Sequence, residues 1–307
     1  MIVGGRYETI APLGQGGVGE VWNAVDRTTG RAVAVKLLRQ MHSSNVKLAE
    51  RFARESRMLA RVQSPHVCRV LDSGIDETGS AYLVMERIEG TPLDVKTRGG
   101  KALPWSEVQA IFDDVLVGLS AVHAAAIVHR DLKPPNVMVD AAGRARLIDF
   151  GISKLVSGAE VPLTSTYATL GTPHYMAPEQ LDTAASVDFR ADVYAAGTML
   201  YRLLTGKLPF ESNNPAQLLV LKRRFDAPSL SDRTGNEWPV ALEDFIARML
   251  ALAPDDRYPD ASAALAAFRE TCRALHDFRG PVAMGSGASG VASDAETPVL
   301  SRRRRPT

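Results

Sequence analysis

The sequence predicts an α+β chain of two unequal parts, a small antiparallel sheet followed by a larger, mainly helical part. Three observations predict it. Residues 6–40 read as strand, Gly-rich turn, strand, turn and strand, with Tyr7 to Ala11 and Glu20 to Asp26 alternating. From residue 104 onward apolar residues recur at helical spacing, with Ile111, Val115, Leu116, Leu119 and Val122 on one face. Within that second part, residues 129–136 read His-Arg-Asp-Leu-Lys-Pro-Pro-Asn. Their two prolines end the helix-like run 108–128 and leave a carboxylate, two cations and a carboxamide on a loop.

Bulk properties narrow the function class. The 307 residues are 45% hydrophobic and 23% charged, ordinary for a soluble globular protein and enough for one large or two packed domains. A formal charge of +1 supplies no global field for nucleic acid or a membrane surface, so no nucleic-acid partner is expected. Cys68 and Cys272 form neither a disulfide framework nor a metal cluster, which points to a reducing, cytoplasmic compartment. Met1 to Arg6 shows no basic region with a long apolar run, so no secretory signal is expected. No uncharged apolar window reaches the roughly 20 residues that span a bilayer.

Taken in order, Tyr7 to Ala11 and Glu20 to Asp26 read as strands around the turn 14–19, and Thr28-Thr29-Gly30 leads into a third, Arg31 to Leu38. A strand, not a helix, follows Gly19, so this G-x-G-x-x-G is a hairpin and not a helix-opening dinucleotide fingerprint. Without side chains, its glycines let the backbone lie close over phosphates. Residues 46–63 carry Phe52, Met58, Leu59 and Val62 at helical spacing. Cys68 to Gly74 and Ser80 to Glu86 form the next strand pair. Pro104 to Glu107 opens a helix, and 136–140 and 145–148 read as a hairpin. A Ser/Thr-rich, weakly structured segment runs to Glu179, and helices follow, clearest over 191–204, 242–252 and 261–275. Residues 276–307, rich in Gly, Ala and Ser and ending in Arg302 to Arg305, cannot build a core and are expected to be a disordered tail. Its arginines are a solvated run, or a patch drawing acidic partners or a membrane surface.

His129 to Asn136 and Asp149-Phe150-Gly151 closely resemble the H-R-D-L-x-x-x-N and D-F-G strings of the protein-kinase superfamily. Gly14, Gly16, Gly19 and Val21 match its G-x-G-x-x-G-x-V loop, Val33 to Lys36 its V-A-I-K strand, and Ala177-Pro178-Glu179 its A-P-E. The resemblance covers roughly residues 6–275. It implies the two-lobed kinase fold, a domain over 1–275 with an N-lobe of about 6–88 and a C-lobe of about 89–275. The activity implied is transfer of the ATP γ-phosphoryl group to protein Ser or Thr hydroxyls with Mg²⁺ or Mn²⁺.

By that resemblance Asp131 orients and deprotonates the acceptor hydroxyl, and Asn136 and Asp149 hold the metal. Lys36 meets the α- and β-phosphates, paired with Glu55; Glu50, five residues earlier, is the competitor. Lys133 contacts the transferring phosphoryl group, and Thr172 bonds Asp131 and Lys133, both marks of the Ser/Thr type. Leu13, Val21, Ala34 and Met138 would sandwich adenine, with Met85 as gatekeeper and the Glu86 carbonyl and Ile88 amide facing its edge. His129, Phe150, Asp192 and a Glu179–Arg257 pair are structural supports. Arg130 beside Asp131 suggests regulation: phosphate on Thr164 or Thr166, spaced as in bacterial relatives of eukaryotic kinases, would pair with it and order the segment. A dimer serving trans-autophosphorylation, and a cytosolic part of a membrane-anchored receptor kinase, are arrangements the resemblance allows. An ATP-binding scaffold without turnover is opposed by Lys36, Asp131, Asn136 and Asp149. A small-molecule phosphotransferase is opposed by the platform 171–179.

Overall fold

The computed structural model of the protein describes residues 1–16, 19–38, 46–149, 173–181 and 187–281. Its first part is a six-stranded antiparallel sheet of β1 (Ile2–Val3), β2 (Tyr7–Gly16), β3 (Gly19–Asp26), β4 (Ala32–Leu38), β5 (Val70–Ile75) and β6 (Ala81–Glu86), in the order β1-β2-β3-β4-β6-β5. The register pairs Val21 with Lys36 and Ala34 with Met85. Because strand side chains alternate with period two, those four residues share one face. Val33, Val35, Tyr82 and Val84 occupy the other and pack with Val3, Tyr7 and Ala24 in a separate cluster. One-residue pairing shifts in β2 leave Ile10 and Leu13 without an opposite residue on β3, and both stand exposed.

The helix α1 (Val46–Leu59) covers the Lys36 face, burying Phe52 and Leu59 with Ala34, Leu38, Leu83 and Met85. That cluster continues into the second part through Val122 and Ile127. The chain crosses beyond Glu86, and Gly90 is needed there: a Cβ would lie 2.6 Å from the Val139 carbonyl oxygen. A second crossing ties the parts at 66–68, where the Leu147 amide donates to the His66 carbonyl (2.9 Å) and the Cys68 amide to the Leu147 carbonyl (2.8 Å).

In the larger part, β7 (Thr91–Pro92), β8 (Val137–Val139) and β9 (Ala145–Leu147) form a small antiparallel sheet, with the short α2 (Leu93–Lys96) after β7. Around it lie α3 (Trp105–Ala124), α4 (Phe189–Thr205), α5 (Pro215–Arg224), α6 (Leu230–Thr234), α7 (Val240–Met249) and α8 (Ala261–Ala274). Their starts follow capping chemistry: the Asp188, Asn214, Ser229 and Asp260 side chains accept backbone N–H bonds at the heads of α4, α5, α6 and α8. The main core joins Phe112, Leu116 and Leu119 of α3 to Tyr201 of α4, Phe245 of α7 and Phe268 of α8. Phe278 packs 5.9 Å from Trp105 and 6.0 Å from Trp238 between ring centroids. Residues near it therefore lie against the helical part, beyond the point where composition sets the start of the tail.

Candidate active site

Lys36, brought to the cleft face by the β4 register, is nearly buried, and its Nζ donates to both carboxylate oxygens of Asp149 at 2.6 and 2.8 Å. Asp149 follows β9, which places it across the cleft. The expected partner, Glu55, instead meets the Arg54 guanidinium at 3.2 Å. Asp149 already matches the ammonium with two oxygens, and Arg54 gives Glu55 a cation on its own turn of α1. Glu50 has no described side chain.

The loop after α3 is set by one buried carboxylate. Asp192 of α4 is 1% exposed and accepts from the His129 amide (2.7 Å), the Arg130 amide (2.8 Å) and His123 Nε2 (3.0 Å). Three donors satisfy a charge that could not otherwise lie in the core. His123 Nδ1 in turn accepts the Ala261 amide at the head of α8, at 3.1 Å. Arg130 holds φ +63°, a conformation that costs a non-glycine residue about 1–2 kcal/mol, so the loop is held by its contacts and not by local preference. Asp131 lies 2.9 Å from Lys133 Nζ, and Asn136 Nδ2 donates to the Asp131 carbonyl (2.8 Å) and carboxylate (3.1 Å). The Ile148 amide donates to the Asn136 carbonyl at 3.0 Å, joining this loop to the segment that carries Asp149. His129 is fully buried, facing Asp192, Asp131 and Asp149, and burial still lowers its pKa.

A third segment, 173–181, approaches the same loop. Gln180 accepts the Ala177 amide (2.9 Å) and donates to the Arg130 carbonyl (3.2 Å). Arg257 holds Glu179 through two bonds of 2.6 and 2.9 Å while donating to the carbonyls of Arg190, Ala251 and Leu252. From α5, Lys222 reaches the carbonyls of Pro173, His174 and Met176 at 3.1, 2.7 and 2.5 Å. Burial pulls its pKa down to about 7, against the attraction of Glu179.

A family model described as a protein kinase domain matches residues 7–267. The chain belongs to the protein kinase family. It is 42% identical over 229 residues to the serine/threonine-protein kinase pkn2 of Myxococcus xanthus, covering 71% of this chain and 26% of that one. It is 33% identical over 295 residues to the serine/threonine-protein kinase PknD of Mycobacterium tuberculosis, covering 95% and 44%. The chain thus spans less than half the length of either relative. The crystal structure of the Mycobacterium tuberculosis PknI kinase domain superposes with a TM-score of 0.67 at 28% identity, covering 88% of this chain and 97% of that one. The six-stranded sheet and the helical part are the two lobes of the kinase fold, and the cleft between them is the family's site for ATP and a divalent cation.

The residues lining this kinase cleft suit such a group. Asn136 and Asp149 offer oxygen ligands of the kind a hard divalent cation takes, and Asn136 commits its Nδ2, not its oxygen, to Asp131. Ala34 and Met85 are buried side by side, with Val21 and Ile88 packed on the same cluster; Met138, opposite Pro92 and Arg146, is half-buried. The Glu86 carbonyl accepts the Cys68 thiol at 3.5 Å, and its carboxylate the Arg69 amide at 2.9 Å. Burial pushes the Cys68 thiol up to about 12, so it is a neutral donor. A Cβ on Gly14 would meet nothing within 4 Å, whereas one on Gly19 would lie 2.0 Å from the Leu37 carbonyl oxygen. Sheet packing alone therefore demands the third glycine. Gly16 closes β2. Phe150, Thr164, Thr166 and Thr172 lie outside the described residues. No described helix is long and apolar enough to cross a membrane.

Sequence reasoning missed Lys222 and His123. Lys222 opens a run Lys-Arg-Arg that reads as a solvated helix end; its spacing four residues after buried Leu218 is the signal that could have found it.

Proposed function

We propose that this chain is the catalytic domain of a serine/threonine protein kinase, spanning residues 1–275, that transfers the ATP γ-phosphoryl group to protein hydroxyls. The observation that carries the reading is the convergence of Asp131, Lys133 and Asn136 within 3.1 Å contacts beside the Lys36–Asp149 pair. Asp131 orients the acceptor hydroxyl and takes its proton at a carboxylate oxygen, and the Asn136 bond fixes the direction of that oxygen. Lys133, already beside Asp131, places a cation where charge gathers on the transferred group. Lys36 holds the α- and β-phosphates. Asn136 and Asp149 are the ligands for Mg²⁺ or Mn²⁺, which neutralises phosphate charge when bound. Leu13, Val21, Ala34, Met85, Glu86, Ile88 and Met138 form the adenine slot under the glycines. Thr172, outside the described residues, is the remaining residue of the Ser/Thr signature in this reading.

Autophosphorylation at Thr164 or Thr166, in trans within a dimer, is the mode of activation in this reading, with Arg130 receiving the phosphate. The setting is the cytoplasm, and the arginines of the tail bring the domain near an anionic membrane surface. Incubation of the wild type and Asp131→Asn with γ-labelled ATP and Mg²⁺, followed by phosphosite mapping, tests both parts. Label on Thr164 or Thr166 in the wild type, absent in the variant, is the expected result. Equal label in both would remove Asp131 from the chemistry.

A further inference from the structure

We propose that Lys222 is a positioning residue for the protein acceptor, a buried ammonium that gathers the backbone of 173–176 into the surface on which an acceptor chain lies. This rests on the kinase reading above. Lys222 is 1% exposed. Its Nζ reaches three carbonyl oxygens within four residues, at 3.1, 2.7 and 2.5 Å, and an ammonium has three N–H groups to give. The Tyr194 ring on α4 lies 5.2 Å away. Glu179, the acid that acts on it, is in two-bond contact with Arg257, whose guanidinium opposes the Lys222 charge. The charge is thus held by carbonyl dipoles and a ring face.

Burying an ammonium without an acid of its own is costly, and a methionine would fill the same space without that cost. What lysine adds is order in the carbonyls. The segment they belong to is joined through Gln180 to the carbonyl of Arg130, next to Asp131. A shift of 173–176 would therefore change where an acceptor hydroxyl sits relative to Asp131, while the Lys36–Asp149 pair lies in the cleft between the lobes and is not among the contacts of Lys222. The effect belongs in acceptor binding and not in nucleotide binding.

The clip also depends on its proton. The groups facing it are Glu179 and Arg257, His174 on the gathered segment, and Tyr194 on α4. As Lys222 loses its proton one carbonyl loses its donor, whereas an arginine at this position stays charged.

The test compares wild type, Lys222→Met and Lys222→Arg, using a degenerate Ser/Thr peptide mixture and amide hydrogen exchange of the free proteins. Lys222→Met is expected to raise the peptide KM about tenfold with the Kd for ATP unchanged. Exchange at 174–177 should accelerate by a similar factor, with 136–149 unaffected. The wild-type peptide KM is expected to rise between about pH 6.5 and 8.5 relative to Lys222→Arg. An unchanged peptide KM and unchanged exchange in Lys222→Met would overturn the proposal. So would parallel losses in ATP affinity and in exchange protection across the domain, which mark a general packing role. If the wild type binds ATP and labels no peptide, the kinase reading fails, and the exchange arm alone decides whether Lys222 orders 173–176.

Discussion

Replacing Arg257 by methionine removes five donors at once from a fully buried position. The guanidinium makes two bonds to Glu179, of 2.6 and 2.9 Å, and donates to the carbonyls of Ala251, Leu252 and Arg190 at 2.7, 2.9 and 3.1 Å. Methionine keeps much of the volume and none of the bonding, so Glu179, which is partly buried, loses the cation that meets it in direct contact. Breaking a buried pair from one side costs about 3–5 kcal/mol. In a domain of this size each kcal/mol moves Tm by roughly 2–4 °C, so the expected fall is on the order of 10 °C. Urea unfolding of wild type, Arg257→Met, Glu179→Leu and the double variant measures the pair directly. The double variant should be closer in stability to either single than to their sum, with a coupling of about 2 kcal/mol or more. A loss below about 1 kcal/mol in Arg257→Met, or strict additivity in the cycle, would refute the reasoning that this pair braces the 173–181 segment.

Two further outcomes follow from geometry and charge. Gly206 caps α4 at φ +72°, and a Cβ there would lie 1.9 Å from the Gly100 carbonyl oxygen, whereas Gly235 at φ +70° has nothing within 4 Å. Gly206→Ala should cost several times more than Gly235→Ala, for which about 1 kcal/mol is expected from the backbone alone, read as urea midpoints. Burial also makes Lys222 a source of pH dependence. Its folded pKa of about 7 lies below the unfolded value of about 10.4, so between them the unfolded chain binds a proton the folded one does not. Wild-type stability should rise over that range relative to Lys222→Met, and a constant difference between pH 7 and pH 9.5 would contradict it.

The strands and long helices were legible because their pattern survives in the sequence: alternation in β3, an apolar run in β4, and spacing of three and four in α3. The two-residue strand β1 was not, since Ile2 and Val3 are too few to show a period. Asp131, Asn136 and Asp149 were legible as a group, and the structure brings the first two into contact and the third onto Lys36. The partner of Lys36 was not legible: the sequence points to Glu55 and the structure gives Asp149, because which carboxylate an ammonium meets depends on how α1 sits against the sheet, a long-range matter. Asp192 and Arg257 could be expected from the family strings around them. Lys222 and His123 lie outside any such string, and their roles exist only once α5 and α8 are packed. Phe278 sits in a stretch whose composition predicts a tail, yet two tryptophans far apart in sequence give it a place to dock.

Among the described residues, two backbone links join the lobes, the chain beyond Glu86 and the bonds between 66–68 and Leu147. Two attachments define an axis. Rotation about the line joining them preserves both, while sliding one lobe past the other breaks the amide bonds at Leu147. Opening the cleft about that line would keep both links and part the Lys36–Asp149 pair, the contact that spans it.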